Sequence, residues 1–531
     1  MKQNVNHRRA FWVLLFWCDM VGKGRNLITT TYKVIDRENI LEVIQKALIL
    51  HQENANDCDF LLDYDAGVQP IDRTNCEKKT MPWIDVESID NVAHEISDFW
   101  VGFGWGNPIV LVQRGENADK EKAEGIAQIN NGYSAAGNSR DLQKIANYVV
   151  KCGHCYTLSE INKDWEEGEA YFTRDVLDPR SSFIVYSSSY PDGRAMLGVT
   201  YATDDNGMSM TAYTKYARYT LYAQRLNNKN VTSGDKYWQQ AYSWTIVSEE
   251  YNYLKRIAIV EWYWTIDRSG VFEHQISALD SVNLLVSDIA NGVEQNIQAI
   301  WWSNNVEFPT EIIKDADGNE VEVIRKPKSG EWVMTNSPKD SANPTIQPLT
   351  IDYHLEDMQR SYTEQRSLIL QKCHVPQRSE TSGGSSGVAM DSAAGWADAE
   401  SVASAREELI KACQLDELRV VLRAIKESPD IDPTNPMLKL YVNDIQPAVR
   451  RPKNFDLATK ANSISTLIAH GFAIEDVLSN IPLFNDATQT IERSGDMVRR
   501  YQESIIGGAT EESRNQQDMS DNAANSPMLN V

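Results

Sequence analysis

Cys152 and Cys155, in Lys-Cys-Gly-His-Cys-Tyr-Thr (residues 151–157), have the spacing used for thiol–disulfide exchange or for half of a zinc site. Exchange chemistry needs the first thiol exposed at the start of a helix that follows a strand, where the helix dipole favours the thiolate. The apolar spacing here predicts the opposite order, with a helix over Leu142–Lys151 entering the motif and a strand over Tyr156–Ile161 leaving it. A zinc site needs two more ligands, and the chain holds no second Cys-x-x-Cys. The motif therefore reads as a helix-stopping glycine between two small buried thiols. No Ser/His/Asp or paired-carboxylate arrangement stands out, and the eight histidines are scattered.

Three other stretches raise chemical questions. Gly102, Gly104 and Gly106 have the wrong spacing for a dinucleotide loop and follow a helix where a strand is required. Asp315-x-Asp317-x-Asn319 lacks the glycine of a calcium loop, and Lys326 stands where a bidentate Glu belongs, so a hairpin turn between alternating strands in Glu311–Ile324 is expected. Ser382-Gly-Gly-Ser-Ser-Gly387 is not followed by Lys-Ser/Thr, which argues against a phosphate cradle. It reads either as a flexible linker or as a mobile loop held on two rigid helices.

The elements around these stretches form an α+β pattern. Helices are expected over Arg37–Tyr64 and Ile89–Phe103, with a strand at Ile109–Val112. Aromatic and β-branched strands continue to Ile266, including Tyr213–Tyr222 and Ile257–Trp264. The pattern then changes to a long rod over Glu273–Ile300, where Leu279, Val286 and Val293 recur every seven residues and Val282 and Ile289 interleave. At 1.5 Å per residue such a rod measures roughly 42 Å. Asp280, Ser287 and Glu294 run one position beyond the first row, and Asp288 lies on the outer side. A second rod is expected over Asp352–Lys372, a third over Ala393–Lys426, a strand at Leu438–Val442 and shorter helices over Leu457–Tyr501.

The 531 residues leave room for roughly two to four domains. Seven irregularly placed cysteines do not make a disulfide framework and suit a reducing compartment. A formal charge of −23 excludes a broad surface that grips phosphates, because such binding needs clustered Lys and Arg. Nucleic acid, if handled, is handled without being gripped. His7-Arg-Arg9 ahead of the apolar run Ala10–Cys18 resembles a secretory signal, but Asp19 closes the run and no small-residue cleavage site follows. Met20-Val-Gly-Lys is read as the alternative start. The run is too short to span a bilayer, and no other segment approaches a span.

Five stretches, in order, carry a family resemblance: Leu62-Asp-Tyr-Asp-Ala-Gly-Val-Gln-Pro-Ile71; the helix from Asn91 closing on Phe103-Gly-Trp-Gly-Asn-Pro-Ile109; Val176-Leu-Asp-Pro-Arg180 with Phe183-Ile-Val-Tyr186; Leu279–Asp288; and Ser382-Gly-Gly-Ser-Ser-Gly-Val-Ala389. Together they resemble the portal proteins of tailed bacteriophages, in the siphovirus-type family of phages with Gram-positive hosts. The resemblance runs from Ile28 to Tyr501. In that family Gly153 takes the place of a glycine ahead of a small–Tyr pair, here Cys155-Tyr156. The first 27 residues have no counterpart. After Val388-Ala389 this chain continues Met390-Asp-Ser-Ala-Ala-Gly395, where the family often has a basic, apolar helix start.

The resemblance implies a portal fold: an α+β wing (28–272), a stem helix (273–300), a small β-rich clip (301–350), a second stem helix (351–374), a tunnel loop (375–390), a long helix with a wing return strand (391–453) and a helical crown (454–506), ahead of a polar, disordered tail (507–531). It implies a homo-oligomeric ring of twelve at one capsid vertex, threaded non-specifically by double-stranded DNA during packaging and ejection. Partners would be the terminase large subunit, a head–tail connector or adaptor, and the major capsid and scaffolding proteins, with assembly in the host bacterial cytoplasm. No catalysis, cofactor, metal or membrane is implied. Asp280 and Glu294 would line the channel. Ser382, Gly383, Gly384, Ser385, Ser386 and Gly387 would touch DNA through hydroxyls and backbone. Leu279, Val282, Val286, Ile289 and Val293 would pack against neighbouring subunits. The rival classes are a thiol oxidoreductase using Cys152 and Cys155, and a coiled-coil scaffold that forms no closed ring.

Overall fold

The computed structural model describes residues 24–71, 85–114, 119–189, 193–226, 241–297, 300–304, 310–314, 320–324, 345–349, 354–377, 395–449 and 457–472, with positions 474, 477 and 478. The N-terminal apolar run, the turn expected at 315–319, the loop Ser382–Gly387, the helices expected beyond 478 and the tail lie outside the described residues. In chain order the elements are β1 (Thr29–Thr30), α1 (Ile40–Asp65), α2 (Val92–Trp105), β2 (Val110–Gln113), α3 (Lys120–Ala135), α4 (Asn138–Cys152), β3 (His154–Ile161), β4 (Phe172–Leu177), β5 (Ser182–Ser187), β6 (Ala195–Thr203), β7 (Gly207–Tyr213), β8 (Ala217–Arg225), β9 (Tyr242–Tyr251) and β10 (Ile259–Tyr263). There follow α5 (Ile276–Ile297), β11 (Ile300–Asn304), β12 (Thr310–Lys314), β13 (Glu320–Ile324), β14 (Thr345–Leu349), α6 (Leu355–Lys372), α7 (Trp396–Glu427), β15 (Ile445–Ala448) and α8 (Leu457–Ala469). The fold is α+β, as the sequence pattern predicts.

The chain divides into two compact units. The smaller comprises Gln69–Val92 and Ile276–Lys372, and the larger comprises the remainder. In the larger unit a six-stranded sheet runs β1-β5-β6-β7-β8-β9, antiparallel except for the β1–β5 edge, and a three-stranded sheet runs β10-β3-β4. Helix α1 packs Ile40, Val43, Ile44, Ala47 and Leu48 on the larger sheet, against Phe183, Val185, Leu197, Val199 and Leu221. The i, i+3, i+4 spacing of those helix residues is what turns them to one side. A second core joins α3, α7 and the three-stranded sheet through Ile126, Ile129, Tyr133, Leu418, Val421 and Ile425. The smaller unit holds α5 and α6 with two antiparallel strand pairs, β11–β14 and β12–β13.

Several expectations need correction. Leu438–Val442 is not a strand. Pro436 opens a tight 3-10 turn over Pro436–Lys439, Asn435 caps it by accepting from the Met437 N–H at 2.9 Å, and the strand comes later as β15, paired with β2. Proline's missing N–H and fixed φ favour that turn over a ladder. The stretch Tyr213–Tyr222 is broken by a hairpin: the Thr214 N–H donates to the Ala217 carbonyl at 2.9 Å, so β7 ends and β8 begins inside it. Helix α3 was not foreseen. The long rod is shorter than Glu273–Ile300, because Glu273–Gln275 is a 3-10 turn and β11 starts at Ile300.

Candidate functional site

The structure removes the thiol reading. Cys152 is the last residue of α4, Gly153 caps the helix at φ +83°, and Cys155 lies on β3. Both thiols are fully buried and unoxidised. Contact with Cys58 and burial push the Cys152 thiol far up, and burial does the same to Cys155, so neither forms a thiolate near neutral pH. Gly153 is required twice over: L-residues disfavour its φ, and a Cβ there would fall 2.0 Å from the Arg268 carbonyl oxygen.

The core of the larger unit holds a buried ion pair that pattern reading missed. The Glu417 carboxylate on α7 accepts from Thr157 Oγ1 at 2.8 Å, Trp262 Nε1 at 3.2 Å, Tyr133 Oη at 3.2 Å and Arg174 Nη2 at 3.3 Å. Arg174 Nε also lies 2.9 Å from Glu417 Oε1, but its N–H is not aimed along that line. Arg174 donates to Asn138 Oδ1 at 2.8 Å and sits over the Tyr133 and Trp262 rings. One side chain thereby ties α7 to α3, β3, β4 and β10.

In the smaller unit α5 is 22 residues and α6 is 18. The helices run close together: a Cβ on Gly292 would meet Leu355 Cδ2 at 3.1 Å. An extended strap, residues 85–91, lies along α5 and is held by a ladder of buried polar side chains. The Val86 N–H donates to Asn291 Oδ1 (2.8 Å), the Ser88 N–H to Ser287 Oγ (2.9 Å) and the Asp90 N–H to Asn283 Oδ1 (2.9 Å). Asn291 Nδ2 returns a bond to the Val86 carbonyl at 3.2 Å. Asn283 Nδ2 donates to Gln69 Oε1 at 2.5 Å, and Gln69 Nε2 donates to Asn91 Oδ1 at 2.8 Å. The Asp90 carboxylate then reaches α6, accepting from Tyr362 Oη at 2.9 Å with Arg366 Nε 3.3 Å away.

Against this frame the expected stem residues take distinct places. Leu279 and Val282 are buried, Val286 and Ile289 are half-buried, and Val293 is 43% exposed. The seven-residue seam is thus closed in its first turns and open further on. Asp280 and Glu294 are half-buried, on the same side of α5 as the strap, while the exposed acid is Asp288, on a face shared with exposed Ser277 and Ser281. No Lys or Arg occurs from position 269 to 313, so α5 carries Asp280, Asp288 and Glu294 without a compensating cation of its own.

The small-residue loop lies outside the described residues, but described residues before and after it are held in the larger unit. Trp100 Nε1 donates to the Cys373 carbonyl at 2.9 Å, and His374 Nδ1 lies 2.6 Å from Asp398 Oδ2. Trp396, the first residue of α7, packs edge-on against Phe103 with centroids 5.7 Å apart. Cys373, before the loop, and Trp396, after it, therefore meet one aromatic cluster of α2.

No described helix is long and apolar enough to cross a membrane. Among the described residues no group of three or more His, Cys, Asp or Glu is placed to hold a metal ion. A family model for phage portal proteins of the SPP1 Gp6-like kind matches residues 77–504. No curated protein matches the chain.

Proposed function

The chain belongs to the SPP1 Gp6-like family of phage portal proteins, and from that premise we propose which of its surfaces build the DNA channel. As a portal protein it is a component of the virion at the capsid vertex, where it forms an oligomeric ring that handles DNA. The family is structural rather than enzymatic. In our reading twelve copies close the ring, and α5 and α6 are the stem that surrounds the polymer. Residues 28–272 form the wing, 301–350 the clip and 454–506 the crown. The clip docks the terminase large subunit during packaging and a head–tail connector afterwards. Major capsid and scaffolding proteins surround the wing, and assembly takes place in the host bacterial cytoplasm. The energy for translocation comes from the terminase.

The observation that carries the channel reading is the charge of α5: three carboxylates and no cation in a stretch of the chain free of Lys and Arg. A wall with fixed cations exchanges counterions with every phosphate it meets and holds DNA in place. An acidic wall closer than the Debye length, about 8 Å in physiological salt, keeps the polymer centred and sliding. Asp288, with Ser277 and Ser281, forms the face turned to DNA, and Asp280 and Glu294 add to its field from the flank. The stripe of half-buried Val286 and Ile289 with exposed Val293 packs on a neighbouring subunit, as ring closure requires. Residues Ser382–Gly387 meet the DNA backbone without sequence readout.

The test is charge reversal in assembled rings. Asp288→Lys, alone and with Asp280→Lys and Glu294→Lys, should leave rings visible by negative-stain microscopy and slow packaging by a purified motor, more so at low salt. Normal packaging by the triple variant would refute the acidic-channel reading.

A further inference from the structure

We propose that the strap 85–91 is a positioning element of the channel, fixing the rotation of α5 so that its cation-free open face, and not its carboxamide face, meets the DNA. The inference rests on the channel reading above and adds the device that orients the wall.

The ladder works because two repeats match. Four helical residues advance about 6.0 Å and two extended residues about 6.6 Å, so Asn283, Ser287 and Asn291 stay in step with Asp90, Ser88 and Val86 over three rungs. All three helix side chains are buried, so each rung gives a buried polar group the partner that water does not supply. Rotating α5 by one residue, about 100°, would break every rung together and strip the buried Asn283, Ser287 and Asn291 side chains of their strap partners. Sliding α5 by a turn would keep some rungs in register but pull Asn283 away from Asp90, whose carboxylate is anchored on Tyr362 and beside Arg366 of α6. Rotation and translation are thus blocked by different bonds. Ser287 and Asp288 are adjacent residues and so lie about 100° apart around the axis. Holding one against the strap therefore aims the other.

The experiment uses full-length rings with Cys18→Ser and Cys76→Ser, carrying Asp288→Cys as a thiol reporter. Amide exchange resolved to single residues should show Val86, Ser88 and Asp90 protected and Glu87 and Ile89 fast. Asn291→Leu, similar in size but without the amide, should speed exchange at Val86 by about tenfold while leaving Asp90 protected. In the parent, threaded DNA should shield the reporter from a charged maleimide. In Asn283→Leu with Asn291→Leu, rings should still form while the shielding is lost and packaging slows several-fold. Retained shielding with packaging at the parental rate would overturn the strap's role and leave the channel reading standing. A reporter unshielded in the parent would overturn the channel reading itself. Should the double variant fail to form rings, Asn291→Leu alone is read by the same criteria.

Discussion

Replacing Glu417 by Gln strikes the centre of the larger unit's polar network while keeping its shape. The carboxylate faces Arg174, and both side chains are completely buried. Burial acts to lower the Arg174 pKa, and Glu417 beside it outweighs that, holding the guanidinium above its ordinary value. Removing the charge strands a buried cation, and breaking a buried pair from one side costs about 3–5 kcal/mol. Gln retains one acceptor for Thr157 or Trp262, but its amide N–H groups must then face Tyr133 or the Arg174 donors. Thr157→Val deletes the bond to Glu417 and one of the two acceptors of Trp262 Nε1, which keeps Glu417, and should cost about 1 kcal/mol. Arg174→Met with Glu417→Leu removes both charges, and should recover part of the loss, because apolar side chains of similar volume need no partner although the buried Tyr133 and Thr157 hydroxyls lose their acceptor. The assay is thermal unfolding of the purified protein at neutral pH. At about 2–4 °C per kcal/mol, Glu417→Gln should melt about 10 °C below the parent. A melt indistinguishable from that of Thr157→Val, or a double variant as unstable as the single, would refute the reasoning.

Three further outcomes follow from the same geometry. Burial lowers His51 from 6.5 to about 3 and His154 from 6.5 to about 4, so the native state holds both neutral. Their contribution is complete above pH 6.5 and is lost as the pH falls towards those values. Between pH 7 and 5 each should cost about 2 kcal/mol, and His51→Gln should remove about half of that slope in melting curves. Gly153→Ala places a Cβ against the Arg268 carbonyl at a positive φ, and should abolish soluble expression. Cys152→Ser should assemble and package like the parent, and the native thiol should resist aromatic disulfide reagents until the protein unfolds. Rapid modification of Cys152 in native rings would contradict the burial described above.

Much of the fold was legible because helix faces and strand alternation are local. The apolar spacing of Ile40–Leu48 announced α1, and Asp317-Gly318 between alternating runs announced the β12–β13 pair. The polarity of the Cys-x-x-Cys context, helix first and strand second, was enough to reject thiol chemistry. What escaped was written in long-range contacts. Helix α3 has few apolar residues, and its Ile126, Ile129 and Tyr133 become a face only once α7 and β4 cover them. Glu417 reads as one more surface acid on a charged helix, and its partner lies 243 positions away. The strap does leave a local trace: Asn283, Ser287 and Asn291, four apart on an apolar helix, are a polar stripe that must be satisfied by something.

That stripe also explains why a strict seven-residue seam was too simple a description of α5. A helix has 3.6 residues per turn, so a heptad row drifts around the axis unless supercoiling holds it. The strap bonds follow a spacing of four, and they claim the side on which Asp280 and Glu294 sit. Beyond Val282 the heptad row therefore leaves the buried side and emerges at Val293, while Gly292 keeps the helix close to α6. The sides of α5 then have separate work: amides to the strap, an aliphatic stripe only partly covered, and an exposed acidic, hydroxyl-bearing face that borders Gly292, where the helix meets α6. An isolated coiled coil would bury its aliphatic stripe within the pair. Leaving Val293 exposed and Val286 and Ile289 only half-covered on the single chain, beside a face that bears no cation, suits a helix whose remaining neighbours are another subunit on one side and a polyanion on the other.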